Sequence, residues 1–228
     1  MRTRHSPTRR LVPFTTLLLA ACPILYAAEP PAAESPLSAT VSVSSQYISR
    51  GIRQTWGRPA AQASVDYVHP SGWTAMIYWY KYPGARIAAT NTSFDYGELS
   101  AGISWKSLYA RYNYTISHDF FGIRNARGTG YLDVGADHPL SHTLTLNLHA
   151  GDGHVAGSGN GIWDWRDLKA GLTRRLEGGW VAAVNVTRAF GATNVYERYT
   201  TGVPRPDGRV AISNVARRAV VFSLTRKF

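Results

Sequence analysis

The last stretch of the chain, Val215-Ala216-Arg217-Arg218-Ala219-Val220-Val221-Phe222-Ser223-Leu224-Thr225-Arg226-Lys227-Phe228, decides how the rest is read. On an extended backbone successive side chains point to opposite faces. Val220, Phe222 and Leu224 share one face with the terminal Phe228, while Ala219, Ser223, Thr225 and Lys227 share the other; Val221 is the apolar exception. A strand with a greasy side and a polar side that closes on an aromatic residue is what an outer-membrane β-barrel presents to its assembly machinery. The competing reading is an edge strand of a soluble β-sandwich.

The same alternation recurs up the chain. Residues 37–54 open with Leu37, Ala39, Val41 and Val43 against Ser38, Thr40, Ser42 and Ser44, and residues 60–69 set Ala61, Ala63, Val65 and Tyr67 against Gln62, Ser64 and Asp66. Residues 73–82 are aromatic on both faces. Residues 95–105 set Leu99, Ala101, Ile103 and Trp105 against Glu98, Ser100, Gly102 and Ser104; residues 108–117 set Leu108, Ala110, Tyr112, Tyr114 and Ile116 against Tyr109, Arg111, Asn113 and Thr115. In 129–138, Leu132, Val134 and Ala136 oppose Asp133, Gly135 and Asp137. The cleanest case is 142–150, with Leu144, Leu146, Leu148 and Ala150 against Thr143, Thr145, Asn147 and His149. Residues 163–176 set Leu168, Ala170, Leu172 and Leu176 against Asp167, Lys169, Gly171, Thr173 and Arg175, and 180–190 set Trp180, Ala182, Val184 and Val186 against Asn185 and Thr187. With the tail, that makes about ten segments, each near the roughly 9–11 residues of a tilted spanning strand.

The connections alternate as well. They are short at Pro70, Lys106, Pro139 and Gly178, and long at Thr55, Pro83, His118, Gly151 and Gly191, with the Gly-rich run 151–162 read wholly as loop. Short turns on one side and long loops on the other are the asymmetry of a bacterial outer-membrane barrel. The expected fold is therefore all-β, a transmembrane antiparallel up-and-down β-barrel over residues 37–228.

Residues 1–10 are basic, 11–26 are apolar but interrupted by Pro13 and Pro23, and Ala27-Ala28 precede Glu29. That order is a cleavable secretory signal peptide over 1–28. Residues 29–36, rich in Ala and Pro, form a flexible lead-in. Leu19-Ala20-Ala21-Cys22 also reads as a lipidation site at Cys22, although Pro23 follows directly. Beyond Tyr26 no apolar run reaches the ~20 residues of a spanning helix. Export to the outer membrane then leaves the mature chain without cysteine.

The chain carries a net charge of +11, and loss of Arg2, Arg4, Arg9 and Arg10 with the signal leaves +7. The excess is scattered rather than gathered on one face, which argues against a nucleic-acid partner. The 7 Trp and 13 Tyr, with 21 Gly, suit strands, turns and interfacial girdles.

Ser45-Gln46-Tyr47-Ile48-Ser49-Arg50-Gly51-Ile52-Arg53-Gln54-Thr55 resembles the opening strand of the TorF-like porins of proteobacteria, S-x-Y-x-x-R-G-x-x-Q-T. Asp66-Tyr67 with Gly72, Tyr82-Pro83-Gly84, Asp95-Tyr96-Gly97-Glu98, Asp207-Gly208-Arg209 and Val221-Phe222-Ser223-Leu224-Thr225-Arg226-Lys227-Phe228 are similar to later stretches of that family. The resemblance implies an outer-membrane barrel with a pore role. It also implies an additional hairpin between residues 72 and 82, and so twelve strands; here one segment runs straight into Tyr82-Pro83-Gly84.

A narrow barrel is largely filled by its own side chains. The candidates for lining its lumen are Asp66, Glu98, Arg111, Asp133, Asp137, Lys169 and Arg175, as a selective path or as paired charges that plug it. Arg53, Arg58, Arg86, Arg124, Arg127, Arg198, Arg205 and Arg209 form an expected external basic rim, suited to lipopolysaccharide phosphates or anions. The expected function is a narrow porin or channel for small solutes or ions. A closed structural or adhesive barrel acting through its loops is the alternative. A lipid-modifying enzyme stands third, because only Ser141-His142 and the pair Asn147/His149 offer nucleophile or base, with no orienting set. The expected partners are outer-membrane lipid and lipopolysaccharide, the barrel assembly machinery through Phe228, and small solutes or ions; no cofactor, metal or catalytic residue is expected.

Overall fold

The computed structural model of the chain describes residues 37–67, 73–80 and 86–228; the side chains of 37, 38, 64–67, 73–76 and 78–80 are outside that description. The signal peptide and lead-in expected over 1–36 also fall outside it.

Ten strands make the architecture: β1 (Leu37–Ser44), β2 (Ala60–Tyr67), β3 (Trp73–Tyr80), β4 (Tyr96–Trp105), β5 (Leu108–Thr115), β6 (Gly130–Pro139), β7 (Leu144–His154), β8 (Trp165–Arg175), β9 (Trp180–Gly191) and β10 (Ala219–Lys227). All lie in one antiparallel sheet in the order β2-β1-β10-β9-β8-β7-β6-β5-β4-β3. Neighbours in the chain are neighbours in the sheet, as an up-and-down meander requires. The two exceptions carry the topology. β1 pairs with β10, Thr40 opposite Lys227 through Ser44 opposite Ser223, and β2 and β3, consecutive in the chain, stand at the two ends of the order. The last strand is thus not an edge: it has β1 on one side and β9 on the other, and Phe228 N–H donates to the Ala39 carbonyl at 2.9 Å.

Long and short connections alternate as the sequence implies, so the long ones gather at one end of the sheet. The side-chain pattern is equally regular. On β8, Leu168 is 54 % exposed while Asp167 is 1 % exposed. On β10, Phe222 is 62 % exposed while Thr225 is buried. Ile103, Trp105, Leu108, Leu132, Leu148 and Val186 extend the exposed apolar face, and Thr40, Ser42, Ser100, Asn113, Thr115, Thr145, Asn147 and Thr173 the buried polar one. Among the described residues a conventional hydrophobic cluster forms at the long-loop end, where Tyr96, Phe120, Tyr131, Val155, Trp165, Tyr196 and Val215 pack together.

Three expectations are corrected. Residues 45–54 do not continue the first strand: β1 ends at Ser44, and two-residue strands Ile48–Ser49 and Ile52–Arg53 pair as a small hairpin with Arg50 (φ 50°) and Gly51 (φ 75°) at its tip. A left-handed pair ends a strand, and Gly51 takes that conformation without steric penalty. Residues 151–154 are strand, not loop, and extend β7. Their glycines are there for space, since a Cβ on Gly151 would strike the Tyr131 hydroxyl and one on Gly153 would strike the Trp165 ring. Finally, Val215 and Ala216 belong to the buried cluster, and the last strand starts at Ala219.

Candidate functional site

The hairpin that leaves β1 turns back onto the buried polar face. Gly51 is the residue that lets it seat: a Cβ there would overlap the Cβ of Asp167 on β8 and lie 3.0 Å from that of Ala189 on β9. With the tip seated, the Arg50 guanidinium makes a bidentate pair with Glu98 on β4, at 2.9 and 2.6 Å. It also lies 4.4 Å from the ring centroid of Tyr131 on β6, and the Arg50 carbonyl accepts from Trp165 Nε1 on β8 at 3.1 Å. These strands are two apart in the sheet, so the sheet curves around the hairpin. Glu98 is 0 % exposed. A carboxylate that far from water is held only by a partner of matching geometry, which the planar guanidinium supplies.

Below the tip, charged groups follow one another along the buried face. The Tyr131 hydroxyl donates to Asp167 Oδ2 at 2.8 Å, and His149 Nε2 lies 2.8 Å from Asp167 Oδ1. His149 Nδ1 lies 2.8 Å from Asp133 Oδ1, and Arg111 is 3.8 Å from Asp133 Oδ2. With a carboxylate oxygen beside each ring nitrogen, the imidazole stands between two acids. Deeper still, Asn147 donates to Asp137 at 2.5 Å and accepts from the Thr173 hydroxyl at 2.6 Å.

Above the tip, the rings form a stack that descends from the loops into this polar chain. Phe120 and Trp165 lie 6.2 Å apart at 14°, Trp165 and Tyr131 5.5 Å apart at 11°, and Tyr131 and His149 6.5 Å apart at 29°. A cavity of about 560 Å³ opens beside the upper part of the stack, under the long connections. Burial pushes the titration of the Tyr196 and Tyr199 hydroxyls up, so both stay protonated, and Tyr196 donates to the Trp163 carbonyl at 2.5 Å.

Of the residues expected to line a lumen, Glu98, Arg111, Asp133 and Asp137 lie on the buried face. Lys169 joins them opposite His149 in the register of β7 and β8. Arg175 sits at the short-turn end and donates to the His142 carbonyl. The side chain of Asp66 lies outside the described residues. Arg58, Arg86, Arg124, Arg127, Arg198, Arg205 and Arg209 are exposed in the long connections, as expected of a rim. Arg53 is the correction: it is 4 % exposed, donating to Gln46 Oε1 at 2.9 Å and toward the Asn214 carbonyl at 3.4 Å. Gly57 leaves room for its guanidinium, since a Cβ there would lie 2.6 Å from an Arg53 terminal nitrogen, and burial together with nearby Arg217 lowers its proton affinity.

The residues missed were Arg50, Tyr131, Trp165 and Asp167. Asp167 carried a signal, being a charge on the polar face of its strand. Arg50 carried a signal too, as a fixed position of the S-x-Y-x-x-R-G-x-x-Q-T motif and at a point where the apolar residues move from the odd positions of Val41 and Val43 to the even positions of Ile48 and Ile52. The Ser141 hydroxyl accepts from the Thr143 and Leu144 N–H groups and so shapes a turn, while His149 stands between its two carboxylates.

A family profile described as a bacterial protein of unknown function (Gcw_chp) matches residues 28–78 and 75–228. No curated protein matches the chain.

Proposed function

The chain belongs to the Gcw_chp family of bacterial proteins, and we propose that it is an outer-membrane β-barrel, closed inside by its own hairpin, that works through the cavity under its long loops. The observation that carries the reading is the inverted sheet, apolar outside and polar inside. Each Å² of such a face left in water forgoes about 25 cal/mol of burial, which drives association; acyl chains solvate it instead. Aromatic residues support a girdle at the short-turn end. Trp105, Trp180 and Phe228 are exposed there, with Lys106 Nζ 4.4 Å from the Trp105 ring and Arg226 5.5 and 5.6 Å from the other two. Rings at acyl-chain level with cations reaching toward headgroups suit a membrane interface. The reading adds a lateral join of β2 to β3, which removes the last free edges.

An open pore is the weaker form of the proposal. The TorF-like resemblance implied a pore, but the motif that carries it supplies the plug. A solute passing along the buried face would have to separate Arg50 from Glu98 and His149 from two carboxylates. The mature protein is expected to fractionate with the outer membrane, to fold only in detergent or lipid, and to give no steady conductance in planar bilayers. Monomeric folded protein in detergent-free buffer would overturn the membrane reading. Steady wild-type channels would overturn the closed interior and restore the porin.

A further inference from the structure

We infer that the loop-side cavity is a binding site for small aromatic carboxylates. Its about 560 Å³ falls within the range of small-molecule sites. Its wall is built of rings set edge to face: Trp163 lies 5.6 Å from Tyr196 at 73° and 6.2 Å from Tyr199 at 78°, and Trp56 lies 6.3 Å from Tyr199 at 87°. Rings fixed in that way receive another flat ring by stacking or by edge contact.

The polar groups in the wall are mostly committed to the protein itself. Asn160 Nδ2 donates to the carbonyls of Arg124 and Ala156, and Gln54 Nε2 donates to the carbonyl of Ile52. A sugar needs a partner for nearly every hydroxyl and finds few here. What the wall offers instead is charge. None of the described lining residues is Asp or Glu, while Arg50, Arg53 and Arg124 are among them, Arg50 being taken up by Glu98. Arg124, exposed at the mouth, donates to the Thr92 hydroxyl at 3.3 Å and to the Thr90 carbonyl. Both acceptors are neutral, and among the described residues no carboxylate pairs with it. A guanidinium braced by neutral acceptors, with N–H groups to spare beside an aromatic cavity whose described lining holds no acid, selects a carboxylate. Ring and anion together define the ligand class.

The inference rests on the closed-barrel reading only for the side of the membrane that the cavity faces. Binding to folded protein in detergent micelles therefore tests it whether or not the protein conducts. Benzoate, its neutral analogue benzamide and the sugar acid glucuronate would be titrated calorimetrically into the full mature protein, with micelle-only blanks subtracted. Saturable binding of benzoate is expected, about tenfold tighter than benzamide, which lacks the charge-assisted contact. Arg124→Gln, at an exposed position, is expected to bring benzoate down to the benzamide level while benzamide binding stays as it was. A second variant, Arg127→Gln, which removes an exposed loop cation that is not among the described lining residues, is expected to bind benzoate as the wild type does. No saturable benzoate binding, equal binding of benzoate and benzamide, or tighter binding of glucuronate than of benzoate would each overturn the proposal.

Discussion

Replacing Arg50 with Met tests the plug directly. The substitution leaves Glu98, fully buried, without its bidentate partner. Breaking one side of a buried ion pair costs about 3–5 kcal/mol, because the remaining charge is stranded away from water. The lost contact with the Tyr131 ring, about 1 kcal/mol, falls within that range rather than on top of it. With a urea dependence of roughly 2 kcal/mol/M, the unfolding midpoint is expected to fall by roughly 2 M. The assay is urea unfolding of the refolded protein in micelles, followed by tryptophan fluorescence; Trp165 reports on the tip because its Nε1–H donates to the Arg50 carbonyl. The double variant Arg50→Met, Glu98→Leu removes both charges and is expected to recover at least about 2 kcal/mol of the single variant's loss, since no charge remains to be desolvated. Single and double variants of equal stability, or a single variant within 1 kcal/mol of wild type, would refute the reasoning, because Glu98 would then have water or another cation to turn to.

Gly51→Ala is expected to lower stability by about 1–3 kcal/mol and to expose the hairpin to cleavage after Arg50 or Arg53, read by limited proteolysis, since its φ of 75° and its approach to Asp167 both exclude a Cβ. Phe228→Ser is expected to reduce the amount of protein in the outer membrane while leaving its in vitro refolding yield in detergent unchanged; equal outer-membrane levels would count against a role for the terminal aromatic in assembly. Changing Arg198, Arg205 and Arg209 together to Gln is expected to weaken binding to lipopolysaccharide in low salt and to flatten its salt dependence, because exposed charges act over about 10 Å at 0.1 M ionic strength; an unchanged salt profile would mean that the loop cations take no part.

Alternation determined most of the strands and, outside the doubly aromatic segment 73–82, their faces, while the turn residues between them gave the ordered exchange of short and long connections. It can do so because covalent geometry sends successive side chains to opposite sides of any extended backbone, whatever lies beyond. The rule breaks at residues 45–54, where the apolar residues shift from the odd positions of Val41 and Val43 to the even positions of Ile48 and Ile52 and the chain has left the sheet. Only tertiary packing decides there, because the hairpin is held by contacts with Glu98, Tyr131, Trp165 and Asp167, residues 48 to 116 positions further along the chain. Glycine was ambiguous for a related reason. Gly151 and Gly153 read locally as loop residues, yet they lie in β7 because the hydroxyl of Tyr131 and the ring of Trp165 occupy the space their side chains would have filled. Which charges pair, and which arginine of the expected rim turns inward, likewise follow from distances across the sheet, and these arise only once strands far apart in sequence have been brought around one hairpin.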